Sequence, residues 1–267
     1  LKSKITLSPL DQEMSLIQKD SITSFQNLIA DILLVSDNSA SNVLIDFIGY
    51  NHFNAKMNQA GFNKTYLNHK FSPDPNYTID WEIKTMFNDL ISSNEERDIV
   101  KADDNILGLK KGEKKFKDGI VELGSLDFSQ KNRSSIIDMH KIIKRIIFPS
   151  KFDDDNAFNL NVEDYDFLRY WMSRFTHEDL GNKFTTDKKY FESYNKFFIH
   201  GADTIVANKN IRVYNKIGQA YGTSTDNAYI KNYQDDVEFF LTATIYTNKN
   251  NIINDNYRLS KDQKIGL

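Results

Sequence analysis

Two short polar stretches carry residue types that can hold charge and move protons. Ser36-Asp37-Asn38 stands between two apolar runs of helical period, and Lys216-Ile217-Gly218 lies in a run of strand-forming residues. Residues two apart do not share a helix face, so Ser36 and Asn38 can both reach a cleft only from a non-helical junction. The triplet has a simpler use as a helix cap, because Ser, Asp and Asn side chains accept hydrogen bonds from the open N–H groups of a first turn. Lys216 has the simpler use of a solvated strand lysine, and a glycine inside a strand, as at Gly218, marks a close approach of backbone or ligand.

The surroundings narrow these choices. The triplet continues as Ser39-Ala40-Ser41-Asn42-Val43-Leu44-Ile45, reaches Ile48-Gly49, and after a further helical pattern comes to Gly61 and Thr65. Lys216-Ile217-Gly218 is followed by Tyr221-Gly222-Thr223 and another strand pattern. In this order and context the two stretches resemble the SDN and KTG elements of the class A β-lactamases and, more widely, the penicillin-recognising serine hydrolases. The resemblance implies a serine hydrolase that works on an amide or ester, such as a β-lactam or a peptide, through an acyl-enzyme. It implies catalytic roles for Ser36, as relay of a proton to the leaving group, and for Lys216, as a fixed positive charge beside it. Asn38 would hold the substrate amide, Gly218 would leave room for it along the strand, and the Gln219 N–H would supply half of an oxyanion hole. Asp37 would be structural, and no cofactor or metal is implied.

The sequence departs from that family in four places. The nucleophile element, S-x-x-K, should precede Ser36, and none occurs there; Ser193-Tyr194-Asn195-Lys196 fits the spelling but falls after SDN and reads as coincidental. The strands and the buried helix that present the serine are therefore expected upstream of Leu1, and the sequence reads as part of a longer protein. Ile217 replaces the threonine whose hydroxyl helps to hold a β-lactam carboxylate, and no arginine occurs in Gly222 to Asn227. The deacylating glutamate has no matching motif among Glu82, Glu95, Glu96, Glu113 and Glu122. These gaps favour an ester or amide hydrolase over an efficient penicillinase, and they leave one rival: a non-catalytic module that uses the same cleft to bind a peptide or cell-wall fragment.

The elements that must position these residues are legible in part. Apolar residues from Ile22 to Val35 recur at helical spacing with Ser21 placed to cap them; further helices are expected from about Ala40 to Ile48 and from Asn51 to Ala60, each ended by a glycine. Helix returns at Ser135 to Ile147, ended by Pro149, and near Val162 to Arg174. Ile211 to Ile217, Asn227 to Tyr233 and Val237 to Thr247 read as consecutive antiparallel strands. Between about residues 69 and 128 the pattern weakens into an insertion, with a helix expected near Trp81 to Ile91 and an exposed basic hairpin at Lys110 to Lys117. The expected architecture is α+β: one β-lactamase/transpeptidase-like domain of three α/β/α layers, an antiparallel sheet beside an all-helical lobe, incomplete at its N-terminus.

Composition sets outer bounds. With 40% hydrophobic and 27% charged residues over 267 positions, the chain can bury a core. A net charge of −3 supplies no broad basic surface for nucleic acid. With no cysteine, disulfides, thiolate metal sites and a cysteine nucleophile are excluded. His52, His69, His140, His177 and His200 lack metal-ligand spacing, and Asp153-Asp154-Asp155 lacks the glycine and later glutamate of a calcium loop. No apolar run is long enough to span a bilayer and no signal peptide is visible; a periplasmic or secreted bacterial location follows from the resemblance alone. The expected partner is a small-molecule or peptide substrate.

Overall fold

Helix is dictated first by the 3.6-residue apolar stripe of the segment before Ser36. In the computed structural model, which describes residues 4–9, 21–71, 79–84, 90–92, 109–117, 119–153, 157–178, 183–201, 204, 206, 208–248 and 250–253, that stripe forms α1 (Phe25–Val35) and buries Leu28, Ala30, Leu34 and Val35. The cap is Ser24, whose side chain accepts from the Asn27 N–H, and not the expected Ser21, which lies in strand β2 (Ser21–Thr23). Two short helices follow, α2 (Asn38–Ile48) and α3 (Tyr50–Gln59), separated by Gly49 at φ 77°. α4 (Ile136–Ile147) starts on the Ser135 cap, and α5 (Val162–Ser173) starts on a reciprocal capping box between Asn161 and Asp164.

The last third forms the sheet that α4 and α5 cover. β9 (Ile211–Ala220), β10 (Thr223–Asn232) and β11 (Val237–Tyr246) are antiparallel, with β10 in the middle. β9 and β10 are joined by a two-residue turn in which Tyr221 (φ 52°) and Gly222 (φ 73°) are both left-handed, the type I′ geometry whose twist matches that of a hairpin. Because the central strand is covered on both sides, five consecutive residues from Asp226 to Ile230 are buried. On one face Tyr229, with Tyr214 and Phe240, packs against Ile143 and Ile147 of α4 and Met172 of α5. On the other, Val213, Ala228 and Ile230 pack against Phe198. The expected helical lobe and antiparallel sheet are thus present; among the described residues the second face is covered by the non-helical segment around Phe198.

The region from 69 to 128 carries short strands. β1 (Lys4–Pro9) pairs antiparallel with β2 and with β3 (Ile79–Lys84), and β3 pairs with β4 (Leu90–Ser92), giving the order β2-β1-β3-β4. The helix expected near Trp81 to Ile91 is therefore replaced by two strands: Ile79, Trp81 and Ile83 alternate with Asp80, Glu82 and Lys84, a period of two that outweighs the helix propensity of the charged residues. The basic run does form exposed hairpin structure. β5 (Lys110–Lys111) pairs with β8 (Leu126–Asp127), and β6 (Lys114–Lys117) pairs with β7 (Ile120–Leu123) and, in parallel, with β12 (Ile252–Ile253). No helix among the described residues is long and apolar enough to cross a membrane.

Candidate active site

The junction between α1 and α2 is built by three adjacent residues with three different jobs. Ser36 ends α1 in the left-handed region (φ 57°, ψ 46°), its N–H still donating to the Ile32 carbonyl at 3.1 Å. That turn of the backbone breaks the helix and frees the side chain from the α1 surface. Asp37 then starts α2: its Oδ1 accepts from the N–H groups of Ser39 at 2.7 Å and Ala40 at 3.1 Å. Asn38 is the first residue of α2 and is exposed. The cap reading of the triplet is therefore realised by Asp37, while Ser36 and Asn38 stand on either side of it at the non-helical junction.

Lys216 reaches the junction from β9. Its Nζ donates to Ser36 Oγ at 2.7 Å and to the Ile217 carbonyl at 2.6 Å. Burial pushes the Lys216 amine down to about 8 from its usual 10.5, while the negative charge of Asp226 pulls the other way. The amine is thus mainly protonated at neutral pH, and Ser36 Oγ, which accepts from it, keeps its own proton for another acceptor. Gly218 is exposed, and nothing lies within 4 Å of where its Cβ would be, so a ligand can lie along β9 there. Gln219 is exposed and its side chain donates to Ser224 Oγ at 2.8 Å. The Ala220–Thr223 pair flanks the two-residue turn, so ladder alternation directs the Gln219 N–H away from β10, over the outer edge of the sheet.

The segment from Leu67 to Phe71, which follows the first three helices, is held by asparagines that sequence reasoning missed. Asn42 exchanges hydrogen bonds with the Phe71 backbone, Asn54 with that of Leu67, and the Asn132 side chain accepts from the N–H groups of Asn68 and His69. Asn42 was visible only as part of the SDN context; the partners of all three are backbone groups 13 to 64 residues away, which leaves no local signal. The segment stitched down in this way passes its neighbour Phe128 to the β9–β10 turn, where Phe128 meets Tyr221 edge-on at 5.1 Å and Lys131 lies 5.4 Å from the Tyr221 ring centre.

Other sequence candidates fall elsewhere. Ser193 and Lys196 are fully buried, and Lys196 Nζ donates to the Met172 carbonyl and to Asn215 Oδ1, both at 2.7 Å. Because Asn215 and Lys216 alternate across β9, this lysine serves the face away from Ser36. Glu113 and Glu122 are exposed around the β6–β7 hairpin, where Glu122 pairs with Lys115 at 3.2 Å. Glu95 and Glu96, and the side chain of Glu82, lie outside the described residues.

A Ser-Asp-Asn helix junction hydrogen-bonded to the lysine of a Lys-x-Gly edge strand calls for comparison with proteins built the same way. The model of the β-lactamase enzyme family matches residues 1–262. The chain belongs to the β-lactamase enzyme family. Among solved structures, a β-lactamase from Sphaerobacter thermophilus aligns with 91% of this chain at 11% identity and a TM-score of 0.44; the chain spans 65% of that structure's length. A search of curated proteins finds no match.

Proposed function

We propose that this β-lactamase-family chain carries the proton-relay and charge-bearing half of a serine acyl-transfer site for an amide or ester. The observation that supports it is the 2.7 Å hydrogen bond from Lys216 Nζ to Ser36 Oγ, between residues 180 positions apart. In this reading a serine from an S-x-x-K segment outside these 267 residues attacks the substrate carbonyl carbon, and its paired lysine takes the proton. The resulting oxyanion sits at the outer edge of β9, where the Gln219 N–H points. As the tetrahedral species collapses, the leaving nitrogen or oxygen takes the Ser36 proton, Ser36 recovers one from the now protonated lysine of the S-x-x-K segment, and Lys216 keeps its charge throughout. Asn38 holds the substrate amide and Gly218 leaves the space for it. Ile217, which offers no hydroxyl, favours substrates without the carboxylate of a penicillin. Export to the periplasm or outside the cell fits a family whose substrates lie there.

The test is covalent labelling of the protein together with its natural upstream sequence, using a fluorophosphonate and a penicillin. The expected result is an adduct of one acyl group per chain with the fluorophosphonate, slowed at least 100-fold by Ser36→Ala and by Lys216→Met, the size of a lost acid–base group. No adduct with either reagent would overturn the acyl-transfer reading and leave the cleft as a binding surface.

A further inference from the structure

Directly behind Lys216, on the other face of β9, lies a buried polar chain that the proposed reaction does not use. Asn215 is its hub. Its Oδ1 accepts from Lys196 Nζ at 2.7 Å, and its Nδ2 donates to the Asn195 carbonyl and to Asp226 Oδ1, each at 2.8 Å. The second Asp226 oxygen accepts from the Phe198 N–H at 3.1 Å, and Lys196 also donates to the Met172 carbonyl at the end of α5. Lys196, Asn215 and Asp226 are at most 2% exposed. Asp226 stands opposite Ile217 in the β10 register, so its carboxylate lies behind the Lys216–Ile217 peptide.

Resting on the reading of Lys216 as the fixed charge of the site, we propose that Asp226 is a positioning residue. Through Asn215 it ties β9 to the core, and through the sheet it holds the proton on Lys216 where Ser36 meets it. An unpaired ammonium in a dry cleft loses its proton to solvent unless a negative charge stands near, and a carboxylate behind the strand supplies that charge without occupying the substrate's side. On the cleft side, Lys216 meets a hydroxyl and a carbonyl, neither of them charged. Among the described residues, the charged and titratable groups behind β9 are Asp226 from β10, Lys196, His200 and Glu192 from the segment before β9, the last paired with Lys209, and the pair Arg212–Glu178, bonded at 2.7 Å. Among these Asp226 is the carboxylate set beside Lys216 by the strand register, opposite Ile217, whereas Glu178 is engaged by Arg212 and Glu192 by Lys209. Burial pushes the Asp226 carboxyl upward, and the hydrogen bonds from Asn215 and Phe198, with Lys196 nearby, oppose that and favour the anion.

The test reads the proton on Lys216 itself. In protein labelled with 13C and 15N at lysine, the Lys216 side-chain signal is assigned by its loss in Lys216→Met and titrated. The expected midpoint is near 8, falling by about one pH unit, a tenfold loss of proton affinity, in Asp226→Asn. Lys196→Met, which disturbs the same core and keeps the carboxylate, should leave the midpoint in place. An unmoved midpoint in folded Asp226→Asn, or an equal fall in Lys196→Met, overturns the proposal. If Asp226→Asn alone does not fold, the double variant with Lys196→Met removes both charges; the same fall is expected there, and an unmoved midpoint again overturns it. Absence of hydrolysis would count against acyl transfer and would not touch this titration.

Discussion

Ser36 combines two properties that rarely meet in one residue: a hydroxyl placed against a lysine and a backbone in the left-handed region. For a residue with a Cβ that conformation costs about 1 kcal/mol, and it is tolerated here because both flanking helices depend on the turn. Ser36→Ala and Ser36→Gly both remove the hydroxyl, and only the glycine relieves the backbone. Thermal or urea unfolding should therefore rank Ser36→Gly above Ser36→Ala by about 1 kcal/mol, although both should fail as relays. The reverse order would mean that the turn is not strained. Under the proposed reading, serine at this point is a functional choice made against stability.

At the scale of elements, α2 rests on Asp37. Its carboxylate closes two of the first-turn N–H groups, so Asp37→Ala should lower stability by about 1–2 kcal/mol in urea titration while Asp37→Asn loses much less. This element shows what the sequence could and could not tell. The triplet Ser36-Asp37-Asn38 was readable as a helix junction because a cap and a helix break are both local requirements. The Lys216 strand was readable because alternation and the following turn are local too, though the polar run Thr223 to Asp226 hid the first half of β10. The expected helix at Trp81 to Ile91 failed where charged residues masked a period of two. Nothing in the spelling of Asn42, Asn54, Asn132, Asn215 or Asp226 separates a buried polar anchor from a surface residue, since each acts through a partner far along the chain. Ser193-x-x-Lys196 shows the same limit in reverse, a chemical motif by spelling that proves to be core.

For the whole molecule, buried amines give stability an unusual dependence on pH. Burial holds Lys196 near 7 and Lys216 near 8, against 10.5 in the unfolded chain. Between about pH 7 and 10 the unfolded state therefore binds more protons than the native one, and stability rises with pH across that window. Burial also lowers His69, His140 and His200, which adds to the same slope at its acid end. Differential scanning calorimetry from pH 7 to 10 should show Tm increasing, with the rise flattened in Lys196→Met; a Tm that falls over this range would contradict the burial of these amines. The relay, which needs Lys216 charged, should fade through pH 8 as the fold becomes firmer.

The Ser36–Lys216 hydrogen bond also sets an order of events during synthesis. Helices α1 to α3 and the β9–β11 meander each close through near neighbours, which takes microseconds once the residues exist. The bond between them spans 180 residues, so the ribosome has completed the helical half long before the lysine is made. Ser36 therefore waits, already turned out of its helix by a local cap, for a partner that arrives more than half a chain later. The packing of α1 waits as well, because Leu34 and Val35 are buried against Phe184 and Tyr190, so the junction is fixed in place only after the second half of the chain has been made.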